Sequence, residues 1–465
     1  MKILYLAHNH PQFHPGGTEI FAHDLFQEMN RRPGVEALFL AGTSALQRLP
    51  SPGTPFQTVG RSAREMLVWT GGFDRFNLSQ VDIHGVLPEL ERLLREVKPD
   101  VVHAHHTLLL GVEAFAVVRR AVPKARLVLT LHDYHAICHN DGLMVAPAAA
   151  GRPPALCRQA SPDACHRCFP DIARMEFRLR ELYIQRHLGL VDRFVAPSRF
   201  AAERHRAWGI DPARLGVIRN GRPAAAPVPA RPAEARAAEP AFAVFGNISP
   251  MKGTLVALEA ARLVAQRTRR PFSLTLHGAP LFQADAFVGE LQAAVAALRA
   301  TGTVRVRQAG AYVPTEVPAL MAAVDWVIVP SVWWENAPLV IDEAFRHRRP
   351  VLCSAIGGMA EAVRDGVDGL QFAAGDAAAL AERMLACLDE PGLWERLSAA
   401  APEPWDIAAS ADAHLELYRS LRRSSSPARA AAAAKTKGTA KATAEEVKVA
   451  EVKVAERPVA AEIGA

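Results

Sequence analysis

Glu335 and Glu343 stand eight positions apart in the run Asp325-Trp-Val-Ile-Val-Pro-Ser-Val-Trp-Trp-Glu-Asn-Ala-Pro-Leu-Val-Ile-Asp-Glu. A carboxylate accepts hydrogen bonds from two neighbouring hydroxyls, so one glutamate suits a sugar and the other a ribose, with a diphosphate between them. An apolar stretch with Val and Ile at 326–329 reads as a buried parallel strand, Pro330-Ser331 breaks it, and Pro338 suits the first position of a helix. The amides of Leu339 and Val340 then point outward with the positive end of the helix dipole, a seat for an anion. Taken alone, two such glutamates are better read as a solvated loop residue and an ordinary helix residue, and only the other motifs reverse that preference.

The elements that must position these groups alternate along the chain. Strands are expected at 2–7, 35–40, 101–104 and 127–131, with helices such as 87–97 between them. Alternation of this kind implies an α/β fold with a mostly parallel sheet and a ligand crevice at the carboxyl ends of its strands. The first loop ends in Pro15-Gly16-Gly17, which lets the backbone approach a bulky group at a helix mouth; it lacks the G-x-G-x-x-G of a dinucleotide site. Two polar clusters fall at strand ends, His103-Ala-His-His106 and Thr130-Leu-His132-Asp133-Tyr134. A basic helix over about 172–187 is expected to turn Phe177, Leu182 and Ile184 to the core, a lipid-facing role being the other reading.

Residues 222–240, rich in Ala and Pro, read as a linker between a first domain at 1–221 and a second at 241–404. The second restarts with a strand at 241–245 and Gly246-Asn-Ile-Ser-Pro-Met-Lys252-Gly253, then strands at 272–277, 304–309, 326–329 and 351–353. A last helix at 405–421 follows, with Leu415 and Tyr418 on its apolar side. Residues 422–465, mostly Ala, Lys and Glu, have the composition of a disordered tail.

The opening loop, the Pro197-Ser198 and Asn220-Gly221 turns, the Lys252-Gly253 turn, the glutamate pair and Gly357-Gly-Met-Ala-Glu361 occur in the order found in the E-x7-E retaining glycosyltransferases, family 4. The resemblance covers nearly all of the chain up to Leu421. It implies a GT-B fold, two facing Rossmann-like doubly wound domains with a cleft between them. It also implies a nucleotide diphosphate sugar donor held mainly by the second domain, and transfer with retention. By the same resemblance Glu335 meets the donor sugar, Glu343 the ribose, and His132 is a catalytic-site residue that stabilises or orients, with Asp133 fixing its ring. Lys252 is the candidate cation for the leaving diphosphate. Gly16 and Gly17 approach it from the first domain, while Gly246, Asn247, Tyr312, Val313, Asn336, Leu339 and Val340 complete the donor site. Asn247 stands where the family commonly has arginine, and Ala337-Pro338 where Phe-Gly is frequent. The first substitution motivates an alternative, a catalytically impaired nucleotide-sugar-binding partner on the same fold.

The chain contains no Asp-x-Asp pair, so metal-independent transfer is expected and no cofactor beyond the donor is required. Cys138, Cys157, Cys165 and Cys168 form a Cys-rich insertion at 138–168 ending in C-x2-C; structural zinc, free thiols and disulfides all remain open for it. The net charge of +6 is no nucleic-acid footprint, because from Arg422 onward nine Arg and Lys face five Glu and the rest of the chain is nearly balanced. With no signal-peptide pattern and no run of about eighteen apolar residues, a cytoplasmic protein is expected, with peripheral contact at the inner membrane face as an option. The acceptor class that fits is a glycan or a lipid-linked glycan in surface polysaccharide or glycoconjugate synthesis. Loops at 57–81 should choose it.

Overall fold

The structure is a computed structural model that describes residues 1–147, 155–281 and 283–423. Of the tail expected at 422–465, Arg422 and Arg423 belong to the last helix, while residues 424–465, like residues 148–154 of the Cys-rich insertion, lie outside the described residues. The first sheet contains β1 (Lys2–Ala7), β2 (Glu36–Thr43), β3 (Phe56–Thr58), β4 (Glu65–Trp69), β5 (Val101–Ala104), β6 (Arg126–Thr130), β7 (Arg193–Ala196) and β8 (Leu215–Val217). Their spatial order is β8-β7-β6-β5-β1-β2-β4-β3, and every pairing is parallel except β3 with β4. Part of the stretch read as loops at 57–81 is thus strand.

The second sheet is wholly parallel. It comprises β9 (Ala241–Phe245), β10 (Phe272–His277), β11 (Val304–Gly310), β12 (Trp326–Val329), β13 (Val351–Ser354) and β14 (Gly369–Phe372), in the order β11-β10-β9-β12-β13-β14. Strand order reverses at β1 in the first sheet and at β9 in the second. At such a reversal neighbouring connections leave in opposite directions and open a crevice at the carboxyl ends. Ile3, Leu4, Tyr5 and Leu6 are almost fully buried, as they must be in a strand covered on both faces.

Five helices place the site: α1 (Gly17–Asn30), α2 (Arg174–Leu188), α3 (Arg199–Trp208), α4 (Leu339–Arg346) and α5 (Ile407–Arg423). In α1 the stripe Phe21, Leu25 and Met29 packs on Ile3, Tyr5 and Phe39. Helix α5 follows the second domain in sequence but returns to the first, where Ala411, Leu415 and Tyr418 join that same cluster. A large apolar side chain such as Leu415 contributes roughly 1.5–3 kcal/mol by burial, which helps to fix the returning helix.

Three expectations change. Pro338 is the N-cap of α4 and Leu339 its first residue, one position later than expected. The stretch 222–240 contains a short helix, Ala233–Ala238, and its first residue, Arg222, is buried between the domains. In α2, Phe177 and Ile184 are buried but Leu182 is 46% exposed, in line with Met175 and Leu179, because the core side of the helix is already filled by Phe177, Arg180, Ile184 and Leu188.

Candidate functional site

The carboxyl ends of the two sheets face each other, and so do two helix N-termini. A Cβ placed on Gly17, the first residue of α1, would lie 3.7 Å from the Cδ1 of Leu339, the first residue of α4. Neither helix has a side-chain cap. Two positive helix ends converge on one place, which favours an anion there.

The loop after β12 is held in a defined shape. Glu335 is buried, and its Oε1 accepts from Lys252 Nζ at 2.6 Å, Ser331 Oγ at 2.8 Å and Trp333 Nε1 at 2.9 Å. Among the described residues Oε2 of Glu335 has no protein partner. One oxygen is therefore satisfied by the fold, and the other remains available for hydroxyl donors. Lys252, expected to serve the diphosphate, stands in direct contact with Glu335; its ammonium has three N–H donors and can keep that contact while reaching an anion. The Gly357-Gly358 turn makes this loop possible. The Gly358 amide donates to the Glu335 carbonyl at 2.7 Å, and a Cβ on Gly358 would sit 2.0 Å from the Asn336 carbonyl oxygen, so only glycine fits.

Asn336 ties the domains together. Its Nδ2 donates to the His132 carbonyl, and its own carbonyl accepts from Ser198 Oγ at 2.6 Å. Its side-chain amide is thus turned to the first domain, where the sequence suggested a donor contact. Glu361 reinforces the tie. Its carboxylate accepts from the amides of Arg199 at 3.0 Å and Phe200 at 2.8 Å, capping α3 from the opposite domain.

Glu343 sits on α4 one turn in. Arg222 donates from Nε to Glu343 at 3.2 Å and from Nη1 to Asp24 of α1 at 2.5 Å, so one guanidinium bridges both domains. Burial raises the pKa of both carboxyl groups, and the Arg222 charge opposes it. These residues border a cavity of about 630 Å³ that also reaches His23, Val313 and His347. Arg222 and Asp24 were missed as partners of Glu343; the sequence carries no signal that joins positions so far apart.

Beyond the carboxyl end of β9, Tyr312 meets Phe245 edge-on at 5.9 Å and His277 at 6.4 Å, while His277 stacks on Phe245 at 4.6 Å. Val313 beside it is 54% exposed. Gly246, just after β9, has a φ of +112°. Asn247 Oδ1 accepts from the Leu281 amide at 3.3 Å.

The first domain contributes imidazoles. His132 is buried and burial lowers its pKa to about 3; His106 falls to about 4 for the same reason. His106 Nδ1 accepts from the amides of Thr107 and Leu108, both at 3.0 Å, so its proton is on Nε2 and goes to Asp133 at 2.6 Å. Asp133 also meets His135 Nδ1 at 2.9 Å. Burial alone would raise the Asp133 pKa, but the two imidazoles hold it well below the usual carboxylate range. Asp133 therefore braces His106 and His135, and its side chain makes no hydrogen bond to the His132 ring. Gly16 lies against Glu19, whose carboxylate meets His8 at 2.9 Å. Burial opposes ionisation of Glu19, yet the charge and hydrogen bond of His8 bring it down to about 2.

Two groups of three potential ligands have all donor atoms within 4.8 Å among the described residues, His10/His23/Glu65 and His106/Asp133/His135. In each, one imidazole accepts a backbone N–H at Nδ1: His10 from Gln12 at 3.2 Å, and His106 as above. The proton is then on Nε2, the atom facing the carboxylate, so both groups are hydrogen-bonded arrays. Cys138, Cys157, Cys165 and Cys168 form no such group among the described residues. Burial raises all four thiol pKa values. The insertion nevertheless reaches the loop after β12, since Trp334 Nε1 donates to the Cys157 carbonyl at 2.9 Å. No described helix is long and apolar enough to cross a membrane.

Residues 15–225 match the family described as Glycosyltransferase Family 4, and residues 239–390 match Glycosyl transferases group 1. A D-inositol 3-phosphate glycosyltransferase of Rhodococcus jostii is 26% identical over 430 residues, 87% of this chain and 84% of the relative. A glycogen synthase of Mycobacterium tuberculosis is 32% identical over 212 residues, 44% of this chain and 49% of that enzyme. Among solved structures, Alr3699/HepE of Anabaena in complex with UDP superposes with a TM-score of 0.61 at 20% identity, covering 90% of this chain and 100% of that one. The superposition identifies the fold as GT-B.

Proposed function

Because the chain belongs to the family 4, group 1 glycosyltransferases, we propose that it moves a sugar from a nucleotide diphosphate sugar to a hydroxyl of a glycan or lipid-linked glycan, with retention and without a metal ion. The observation that carries this reading is Glu335, with one oxygen saturated by Lys252, Ser331 and Trp333 and the other open beside two converging helix N-termini. The open oxygen receives hydroxyls of the donor sugar. Breaking the anomeric C–O bond places charge on the departing diphosphate, and Lys252 with the amides of Leu339 and Val340 meets that charge where it develops. Glu343 accepts from the ribose, and the Tyr312–Val313 segment borders the base. Gly16 and Gly17 close over the diphosphate from the first domain, and His132 orients the sugar.

Supporting a nucleotide sugar as donor, the Anabaena structural neighbour has also been crystallised with UDP-glucose. Metal independence is favoured by the lack of an Asp-x-Asp pair and by a diphosphate site already supplied with positive groups. Acceptor choice is assigned to the strands and loops of residues 57–81, in synthesis of a surface polysaccharide or glycoconjugate. The test is a panel of UDP-, GDP- and dTDP-sugars, scored by thermal shift and donor turnover with and without EDTA, with product anomeric configuration read by NMR. One donor should stabilise the protein and turn over in EDTA with retention. Inversion, or turnover abolished by EDTA and restored by a divalent cation, would reject the mechanism, and no shift with any donor would reject the binding assignment.

A further inference from the structure

Behind His132 the hydrogen bonding continues into the first domain. His105 Nδ1 lies 2.9 Å from His132 Nε2, with the two rings stacked at 5.2 Å and 20°. His105 is fully buried, and its Nε2 has no partner. Around it are the rings of Tyr5, Phe21 and His103.

Only one proton can lie between the two imidazoles. If His132 donated it, neutral His105 would accept at Nδ1 and carry its own proton on Nε2, an orphaned N–H in the core. If His105 donates from Nδ1, its Nε2 keeps only a bare lone pair. Buried N–H groups without acceptors are rarer and costlier than under-used acceptors. The second arrangement is the stable one. His132, accepting at Nε2, then carries its proton on Nδ1. That atom has no protein partner among the described residues and keeps some solvent-accessible surface.

We propose that His105 is a positioning residue that sets His132 as the Nδ1–H tautomer, so that His132 acts in the cleft as a neutral hydrogen-bond donor to a substrate oxygen and not as a base. The role at the substrate rests on the function proposed above; the tautomer does not. His103 holds His105 from behind, with ring centroids 4.2 Å apart. His103 is in turn fixed by Tyr418 Oη at 2.6 Å and Thr130 Oγ1 at 2.7 Å, so the returning helix α5 forms the back wall of this array. A free imidazole prefers its proton on Nε2, and His105 reverses that preference.

The experiment uses the full chain with 15N-labelled histidine and two-bond 1H–15N correlation spectra, His132 being assigned from the spectrum of His132→Gln. Expected in the unmodified protein is a protonated Nδ1 on His132. In His105→Leu the proton should move to Nε2 and kcat should fall about a hundredfold, with donor KM changed far less. His105→Asn puts an amide N–H donor where Nδ1 was; it should restore the Nδ1–H form and at least a tenth of the lost rate. A His132 protonated at Nε2 in the unmodified protein, or a tautomer unchanged in folded His105→Leu, overturns the proposal. A correct tautomer with no transferase activity would instead count against the functional reading alone.

Discussion

The two domains build their halves of the cleft from opposite materials. On the side of the second, the groups lining the cleft are charged and paired: Lys252 on Glu335, and Arg222 of the interdomain stretch on Glu343. In the first they are largely neutral imidazoles locked by hydrogen bonds, His103, His105, His106 and His132, all buried. A site that must meet a diphosphate gains from fixed charge. A site that must orient hydroxyls gains from donors and acceptors of defined tautomer, which a charged group supplies less selectively.

The largest test of this contrast is Glu335→Gln. The amide keeps the size but cannot hold Lys252 as an ion pair, so kcat should fall about 10²- to 10³-fold while the fold survives, measured by donor turnover and thermal melting. A comparable loss of stability with little loss of rate would make Glu335 a structural residue.

Acid should separate the domains next. Burial holds His132 at about 3 and His106 and His414 at about 4, and places His103 and His105 well below 6.5. Their folded pKa values lie below the unfolded one, so the stability they contribute is full above pH 6.5 and is lost as pH falls towards 4, by ~1.4 kcal/mol per pH unit for each histidine. In the second domain, by contrast, His277 and His347 have the marked shifts, each to about 4. Hydrogen exchange between pH 7 and 4.5 should show the first sheet opening before the second. Simultaneous opening would mean that the interdomain ties, not the histidines, set acid stability.

Tyr418→Phe should have a smaller effect. Losing the hydroxyl leaves His103 Nδ1 without its partner and should reduce stability by about 1–2 kcal/mol, seen as a shift of the urea midpoint. Smallest of all is Leu182→Ser on the outer face of α2. Since that side chain is half exposed, stability should change by less than about 0.5 kcal/mol in a chemical melt. A loss near 2 kcal/mol would place Leu182 back in the core.

Much of the architecture was readable because it is local. Alternating apolar strands and amphipathic helices fix the α/β class, and the spacing from Trp326 to Glu343 forces a strand, a turn and a helix mouth. Leu182 went astray because helical spacing names a stripe but not its width, and Arg180 takes part of the buried face while donating to three carbonyls. Asn336 was expected to serve the donor, since nothing adjacent in sequence shows that its partners are His132 and Ser198.

What the sequence determined by itself is the alternation of strands and helices, the glutamate pair on its loop and helix, and the glycines that such a loop needs, all set by interactions among near neighbours. Tertiary structure alone decided that Lys252 and Glu335 touch, that Arg222 bridges Asp24 and Glu343, and that His105 stands behind His132 with Tyr418 closing the array. Those contacts join residues that are far apart in the chain. They exist because two sheets and a returning helix bury polar groups together, and a buried polar group takes whichever partner the packing brings within about 3 Å.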